Sequence, residues 1–265
     1  MQIKEYFTEG KKDKLTNEDG IFIGKGIIAV IDGVTSKTNN LYEGCKSGKI
    51  AKDIILKELN NIDFRSSFED VLKHLNNKLK EYHNLYGKQD EYFSAQIIMY
   101  NDYFKEIWNF GDCSCMINGV YHSHDKLYDE ITSKARALYN NLMLKQGFTV
   151  VDLQKDDLGA KYIEPLLKNQ YRYDNDINSP YGYPVLNGKD IHFEHIIKYS
   201  VKDSDEIILA SDGYPIIKPT LEESEEYLKD ILINDPLCIN KFVTTKGLKE
   251  NYKSYDDRTF VRFIV

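Results

Sequence analysis

An α+β fold, built of antiparallel sheets covered by pairs of helices, is what this sequence predicts. Strand-like runs crowd both ends of the chain, and the long helical stretches come in pairs between them. The regular strand–helix alternation of a parallel sheet does not appear. No linker, internal repeat or low-complexity tract divides the 265 residues, so a single domain over 1–265 with a sizeable core is expected.

Residues 20–24 and 27–32 read as a hairpin turning near Gly24–Gly26. A helix over 42–60 carries Ile50, Ile54, Ile55 and Leu59 on one face. Over 67–86, Phe68, Val71, Leu72, Leu75, Leu79 and Tyr82 keep the helical period closely. The segments "YFSAQIIMY", "YFKEIWNFG" and "SCMINGVYH" read as three strands, with turns at Asn101-Asp102 and Gly111-Asp112. A second pair of helices is expected over 131–146 and 157–169. Residues 169–190 are rich in Tyr, Asn, Pro and Gly, follow neither period and predict a long loop. Strands return at 193–200 and 205–211. A helix over about 221–233 opens on "EESEE", acidic residues that suit the positive end of a helix dipole. "RTFVRFIV" closes the chain as a strand.

A net charge of −7 argues against nucleic acid as the main partner, because phosphate backbones are met by clustered Lys and Arg. No apolar run approaches the roughly 20 residues of a membrane span. "MQIKEYFTEGKKDK" lacks the apolar centre of a signal peptide, which makes the cytoplasm the expected location. Cys45, Cys113, Cys115 and Cys238 lack the spacing of a zinc site and read as small buried hydrophobes. The six histidines, at 74, 83, 122, 124, 192 and 195, read as surface or sheet residues.

The chemistry is carried by acidic residues. Two apolar runs, "GIIAVIDGV" and "DEIILASDGY", end abruptly on Asp32-Gly33 and Asp212-Gly213. Asp19, Asp112, Asp256 and Asp257 also fall at or near strand ends. Hard divalent cations take carboxylate, carbonyl and water oxygens, and converging carboxylates repel one another without such an ion. Taken singly, each Asp-Gly is also an ordinary turn pair, and spacing alone does not bring these aspartates together.

Four blocks of the chain, in order, resemble the metal-dependent Ser/Thr protein phosphatases of the PPM (type 2C) family and its bacterial branch. "KLTNEDG" resembles the family's basic-x-x-N-E-D opening, and "IAVIDGV" its strand ending in Asp-Gly. "IWNFGDCSCMI" resembles its strand followed by Gly-Asp-Ser. "DEIILASDGY" with "DDRTFVRFIV" resembles its Ser-Asp-Gly block and closing strand. The resemblance covers nearly the whole chain and implies a four-layer αββα sandwich. It further implies two Mn²⁺ or Mg²⁺ ions, bridged by Asp32, with the Gly33 carbonyl on one and Asp212 and Asp256 completing the other. Asp112 matches the position that supports a weaker third ion in bacterial members. Glu18, Asp19 and Asp257 would steady metal-bound water, and Lys14 would meet phosphate. The implied reaction is attack of metal-activated water on phosphorus without a covalent intermediate.

The chain departs from the family where Lys14 replaces the usual Arg, losing its two-pronged grip on phosphate. Val34, Thr35 and Ser36 follow Asp32-Gly33 where a Gly pair, or a His in eukaryotic members, is common. Rival motifs fail: "GIFIGKG" has the wrong spacing for a phosphate-binding loop, and there is no G-x-S-x-G or H-E-x-x-H. The expected function is therefore a cytoplasmic, signalling-type phosphatase acting on phosphoserine or phosphothreonine in proteins. The alternatives are a catalytically weak binding or regulatory module on the same fold, and a phosphatase for a small phosphorylated molecule.

Overall fold

The computed structural model describes residues 1–24, 26–88 and 91–265. Two five-stranded sheets, antiparallel at every pairing, lie face to face. One sheet runs β2 (Asp19–Gly24), β3 (Ile27–Gly33), β4 (Ala95–Asn101), β5 (Glu106–Phe110) and β8 (Ile197–Ser200). The other runs β1 (Gln2–Glu9), β10 (Arg258–Ile264), β9 (Glu206–Ala210), β6 (Ser114–Ile117) and β7 (Val120–His122).

Strand β3 shows why its sequence is apolar without alternation. Ile27, Ala29 and Ile31 face α1 (Ser47–Leu59) and α2 (Phe68–Tyr86), joining Ile55, Leu72, Leu75 and Leu79 in one core. Ile28 and Val30 point the other way, into the space between the sheets, and meet Ile98, Leu209, Val261 and Phe263. Cys113 and Cys115 lie in this inter-sheet core as buried apolar residues, as their spacing suggested. A strand covered on both faces loses the period-2 signal and reads as a continuous apolar run. The outer face of the second sheet packs Met116, Ile208 and Phe260 against Tyr214, Ile217 and Leu221, at the start of α6 (Leu221–Asn234).

The remaining helices form a unit of their own. The long α3 (Leu127–Lys145) packs on α5 (Leu158–Asn169), with a short α4 (Val150–Lys155) between them. Arg136 ties this unit to the segment before β10. The side chain is fully buried and donates to Asp157 Oδ2 from Nε at 2.9 Å and from Nη2 at 2.6 Å. Three more hydrogen bonds reach the carbonyls of Leu237 (2.8 Å), Thr244 (3.0 Å) and Cys238 (3.3 Å). Asp157 in turn caps α5 through the Ala160 N–H at 2.8 Å.

Several elements differ from expectation for identifiable reasons. The helix expected from residue 42 begins at Ser47, because Glu43 and Gly44 take φ of 52° and 81°, which a helix excludes. "SCMINGVYH" is a hairpin, β6 and β7, turned by Asn118 and Gly119 at φ 49° and 81°. Strand β1 was not anticipated: it borders its sheet, and its side chains alternate between exposed and half-buried. The strand expected at 193–200 is shortened by a 3₁₀ turn over Phe193–His195. The turn expected near Gly24–Gly26 includes Lys25, which lies outside the described residues. Among the described residues no helix is long and apolar enough to cross a membrane.

Candidate functional site

The sandwich brings the singled-out carboxylates to one rim. Asp32, next to last in β3, lies on the inter-sheet side and pairs in register with Asp19 on β2. Asp212 follows β9 in the opposite sheet, Asp112 follows β5, and Asp256 and Asp257 precede β10. Ser211 Oγ donates to Asp19 Oδ2 at 2.5 Å, a direct link from one sheet to the other.

The two Asp-Gly glycines are explained by close approach. A Cβ on Gly33 would stand 2.3 Å from the Gly48 carbonyl oxygen, where the start of α1 crosses the end of β3. A Cβ on Gly213 would stand 1.9 Å from the Asp257 carbonyl oxygen. Only glycine lets these backbones meet; the first contact seats the end of β3 against α1 and Glu18, and the second sets Asp212 beside Asp257. Tyr255 secures the second junction by donating to the Gly213 carbonyl at 2.9 Å.

A cleft of about 390 Å³ opens at this rim, lined by Asp32, Asp112, Asp212 and Asp256 together with Lys37, Lys126 and Lys246. Its carboxylates fall into two groups. The side chains of Asp32 and Asp212 accept no hydrogen bond and form no ion pair among the described residues. Burial, then the charge of Asp212 and of Asp19, pushes Asp32 well above the usual carboxylate range. Asp212 is pushed up to about 7 by its low-dielectric setting and by Asp256 and Asp112. Its side chain opens onto the cleft, so water there screens part of that repulsion.

Asp256 is the opposite case. Burial alone would raise its pKa, but Lys11 and Lys246 hold it well below the usual range. Lys11 Nζ lies 3.0 Å from Asp256 Oδ1, 3.1 Å from Asp257 Oδ2 and 3.3 Å from Glu18 Oε2, and donates to Thr35 Oγ1 at 3.1 Å. Lys246 Nζ contacts Asp256 Oδ2. Thr35 Oγ1 completes the cluster by donating to Glu18 Oε2 at 2.7 Å. On the other flank, Lys126 Nζ lies 2.6 Å from Asp112 Oδ2, while Gln96 Oε1 accepts from the Asp112 N–H at 2.8 Å.

The structure thus brings Asp19, Asp32, Gly33, Asp112, Asp212, Asp256, Asp257 and Glu18 to one rim. Lys14 is exposed and is not among the residues lining the cleft. The loop lysine that reaches the carboxylates is Lys11, from the same "GKKDK" run. Lys37, Lys126 and Lys246 were not anticipated. Each sits outside the strands, where no periodicity marks it, and the only available signal was the need of a carboxylate cluster for counter-charge. Lys37 has no hydrogen bond or ion pair among the described residues. Burial, then the neighbouring charge of Lys246, lowers its pKa to about 8.

The donor chemistry meets a divalent cation part-way. Two carboxylates without an ion-pair partner, Asp32 and Asp212, raised by burial and by neighbouring carboxylates, are hard oxygen donors suited to Mg²⁺ or Mn²⁺. Yet among the described residues no three His, Cys, Asp or Glu side chains already form the ligand set of one ion. Asp112 and Asp256, the carboxylates flanking that pair, are bound to lysine.

No family model matches the chain. A curated protein of Plasmodium falciparum (isolate 3D7), the apicoplast pentatricopeptide repeat-containing protein 1, is 21% identical over 185 residues, 68% of this chain. The matched region spans 28% of that protein's length, and a repeat architecture finds no counterpart in the two sheets. Solved structures agree over the full length. The catalytic domain of the Ser/Thr protein phosphatase PstP, in complex with two manganese ions, superposes with a TM-score of 0.53 at 11% identity, covering 100% of both chains. Ser/Thr phosphatase Stp1 of Staphylococcus aureus gives 0.51 at 15% identity, over 100% of this chain and 95% of the other. PppA, a regulatory component of the type VI secretion system of Pseudomonas aeruginosa, gives 0.51 at 16% identity, over 100% and 99%. In architecture, this chain takes the fold of the bacterial PPM-type Ser/Thr phosphatases.

Proposed function

We propose that the chain is a divalent-cation-dependent phosphatase that hydrolyses phosphoserine or phosphothreonine in proteins, in the cytoplasm. The observation that carries this reading is the Asp32–Asp212 pair. Two carboxylates without a partner face one cleft from opposite sheets, in a fold that solved Ser/Thr phosphatases share.

Asp32 and Asp212 would hold Mn²⁺ or Mg²⁺, with the Gly33 carbonyl beside them. A bound ion would supply charge to offset the phosphoryl group and to acidify water. The chain's own groups account for the rest. Lys37 and Lys246 present ammonium groups to the cleft, where they can donate to phosphoryl oxygens as point charges. Lys37, whose pKa burial and Lys246 lower to about 8, would be the proton donor to the departing serine or threonine oxygen. Ser211 fixes Asp19, and Gln96 fixes the Asp112 loop, so the acidic rim keeps its shape without substrate.

The test is hydrolysis of an aryl phosphate and of phosphopeptides with Mn²⁺, with chelator, and in Asp212→Asn. Metal-dependent turnover lowered by orders of magnitude in the variant is the expected result. A second reading, a phosphate-holding module with little or no turnover, is favoured by one observation: the lysines on Asp256 and Asp112 already neutralise carboxylates that ions would otherwise use. Phosphopeptide binding without hydrolysis under any divalent ion would decide for it. Turnover of small phosphorylated metabolites alone would shift the substrate class.

A further inference from the structure

We propose that the cleft takes one divalent cation, between Asp32 and Asp212, and that lysine ammoniums permanently hold the flanking places where further ions would sit. The inference rests on the functional reading above and deepens it.

The flanks differ from the centre in their partners. Both oxygens of Asp256 are engaged. Oδ1 accepts from Lys11 Nζ and from the Asp257 N–H, each at 3.0 Å, and Oδ2 is in contact with Lys246 Nζ. Lys11 is anchored in turn by Asp257, Glu18 and Thr35. It is a half-buried cation whose ammonium meets oxygens of four side chains, Asp256, Asp257, Glu18 and Thr35. A dication bound through Asp256 would have to displace two ammoniums or lie against them. At the other end, Lys126 Nζ sits 2.6 Å from Asp112 Oδ2 and 3.7 Å from Asp129 Oδ2.

Asp32 and Asp212 form no ion pair among the described residues, although Lys246 and Lys126 act on Asp212 from a longer distance. An ammonium supplies one positive charge and directional N–H donors, but it cannot acidify water as a divalent ion does. The lysines therefore substitute for flanking ions in charge while removing their chemistry. Phosphate would be gripped by one ion and by ammoniums together.

The experiment counts ions on the full chain. Titration calorimetry with MnCl₂ is combined with electron paramagnetic resonance, which distinguishes an isolated Mn²⁺ from a spin-coupled pair. Wild type, Lys246→Met, the double variant Lys11→Met/Lys246→Met and Lys246→Arg are compared, each with its thermal unfolding curve. The expected result is one uncoupled Mn²⁺ in wild type and in Lys246→Arg, with two coupled ions in the double variant. Two ions in wild type would overturn the inference while leaving the phosphatase reading intact. One ion in every variant would overturn the claim that the ammoniums do the excluding. No ion in wild type would remove the metal-dependent reading and this inference together. The wild-type count discriminates by itself should a variant fail to fold.

Discussion

Replacing Arg136 by methionine tests the tie between the helical unit and the segment that delivers Lys246 to the cleft. The arginine is fully buried and spends five N–H contacts on Asp157 and on the carbonyls of Leu237, Cys238 and Thr244. Methionine matches much of its length but none of those donors, so Asp157 keeps its charge without a partner guanidinium. Breaking a buried pair from one side costs about 3–5 kcal/mol. Unfolding entropy near 2.1 cal/mol/K per residue, taken over 265 residues, is about 0.56 kcal/mol/K. A loss of about 4 kcal/mol then lowers Tm by about 7 °C. Differential scanning calorimetry measures it directly. Adding Asp157→Asn to Arg136→Met should restore part of the loss, since no uncompensated charge remains. A Tm within about 1 °C of wild type for Arg136→Met would refute the reasoning, because a cost of at least 3 kcal/mol must appear as several degrees.

Other outcomes follow from the same geometry. Lys14→Ala should leave KM for an aryl phosphate unchanged, whereas Lys11→Ala should disturb Asp256 and lower turnover at least tenfold; steady-state kinetics on both variants separates the two lysines. Lys37 is pushed down to about 8 by burial and Lys246, with Lys11 adding to the depression while Asp256 and Asp129 oppose it. Its ammonium is therefore present below that value and lost above it. Phosphate-analogue affinity should fall as pH rises through about 8, and Lys37→Arg should move that limb upward. Gly213→Ala places a methyl 1.9 Å from the Asp257 carbonyl oxygen. Urea unfolding should show a loss at the upper end of the about 1–3 kcal/mol typical of overpacking, accompanied by reduced turnover.

Much of the frame was readable because burial leaves a mark on composition. Strand β3 is apolar on both faces, and its abrupt end at Asp32 could be seen before any coordinates, as could the end of β9 near Asp212. Helix α2 was visible from six apolar positions on one face. What failed to show had no such constraint. Strand β1 exposes one face and half-exposes the other, so it carries little pattern. The false start of α1 came from reading apolar spacing through Gly44, whose left-handed backbone ends any helix. The lysines of the cleft were illegible for a deeper reason: a long flexible side chain on a loop reaches its partner from many positions, so neither period nor spacing constrains where it sits. Lys11 and Lys14 belong to one short basic run, and only the folded path of that run separates the one that turns inward.

That division between strand-borne acids and loop-borne bases has an evolutionary consequence. Asp32 belongs to a β-strand clamped from two sides, where almost any backbone change would be felt throughout the interior. Lys11, Lys37 and Lys246 occupy connecting segments, which tolerate replacement far more readily. If the proposed cation site holds, single exchanges at the periphery would retune how many cations it recruits while the scaffold stays untouched.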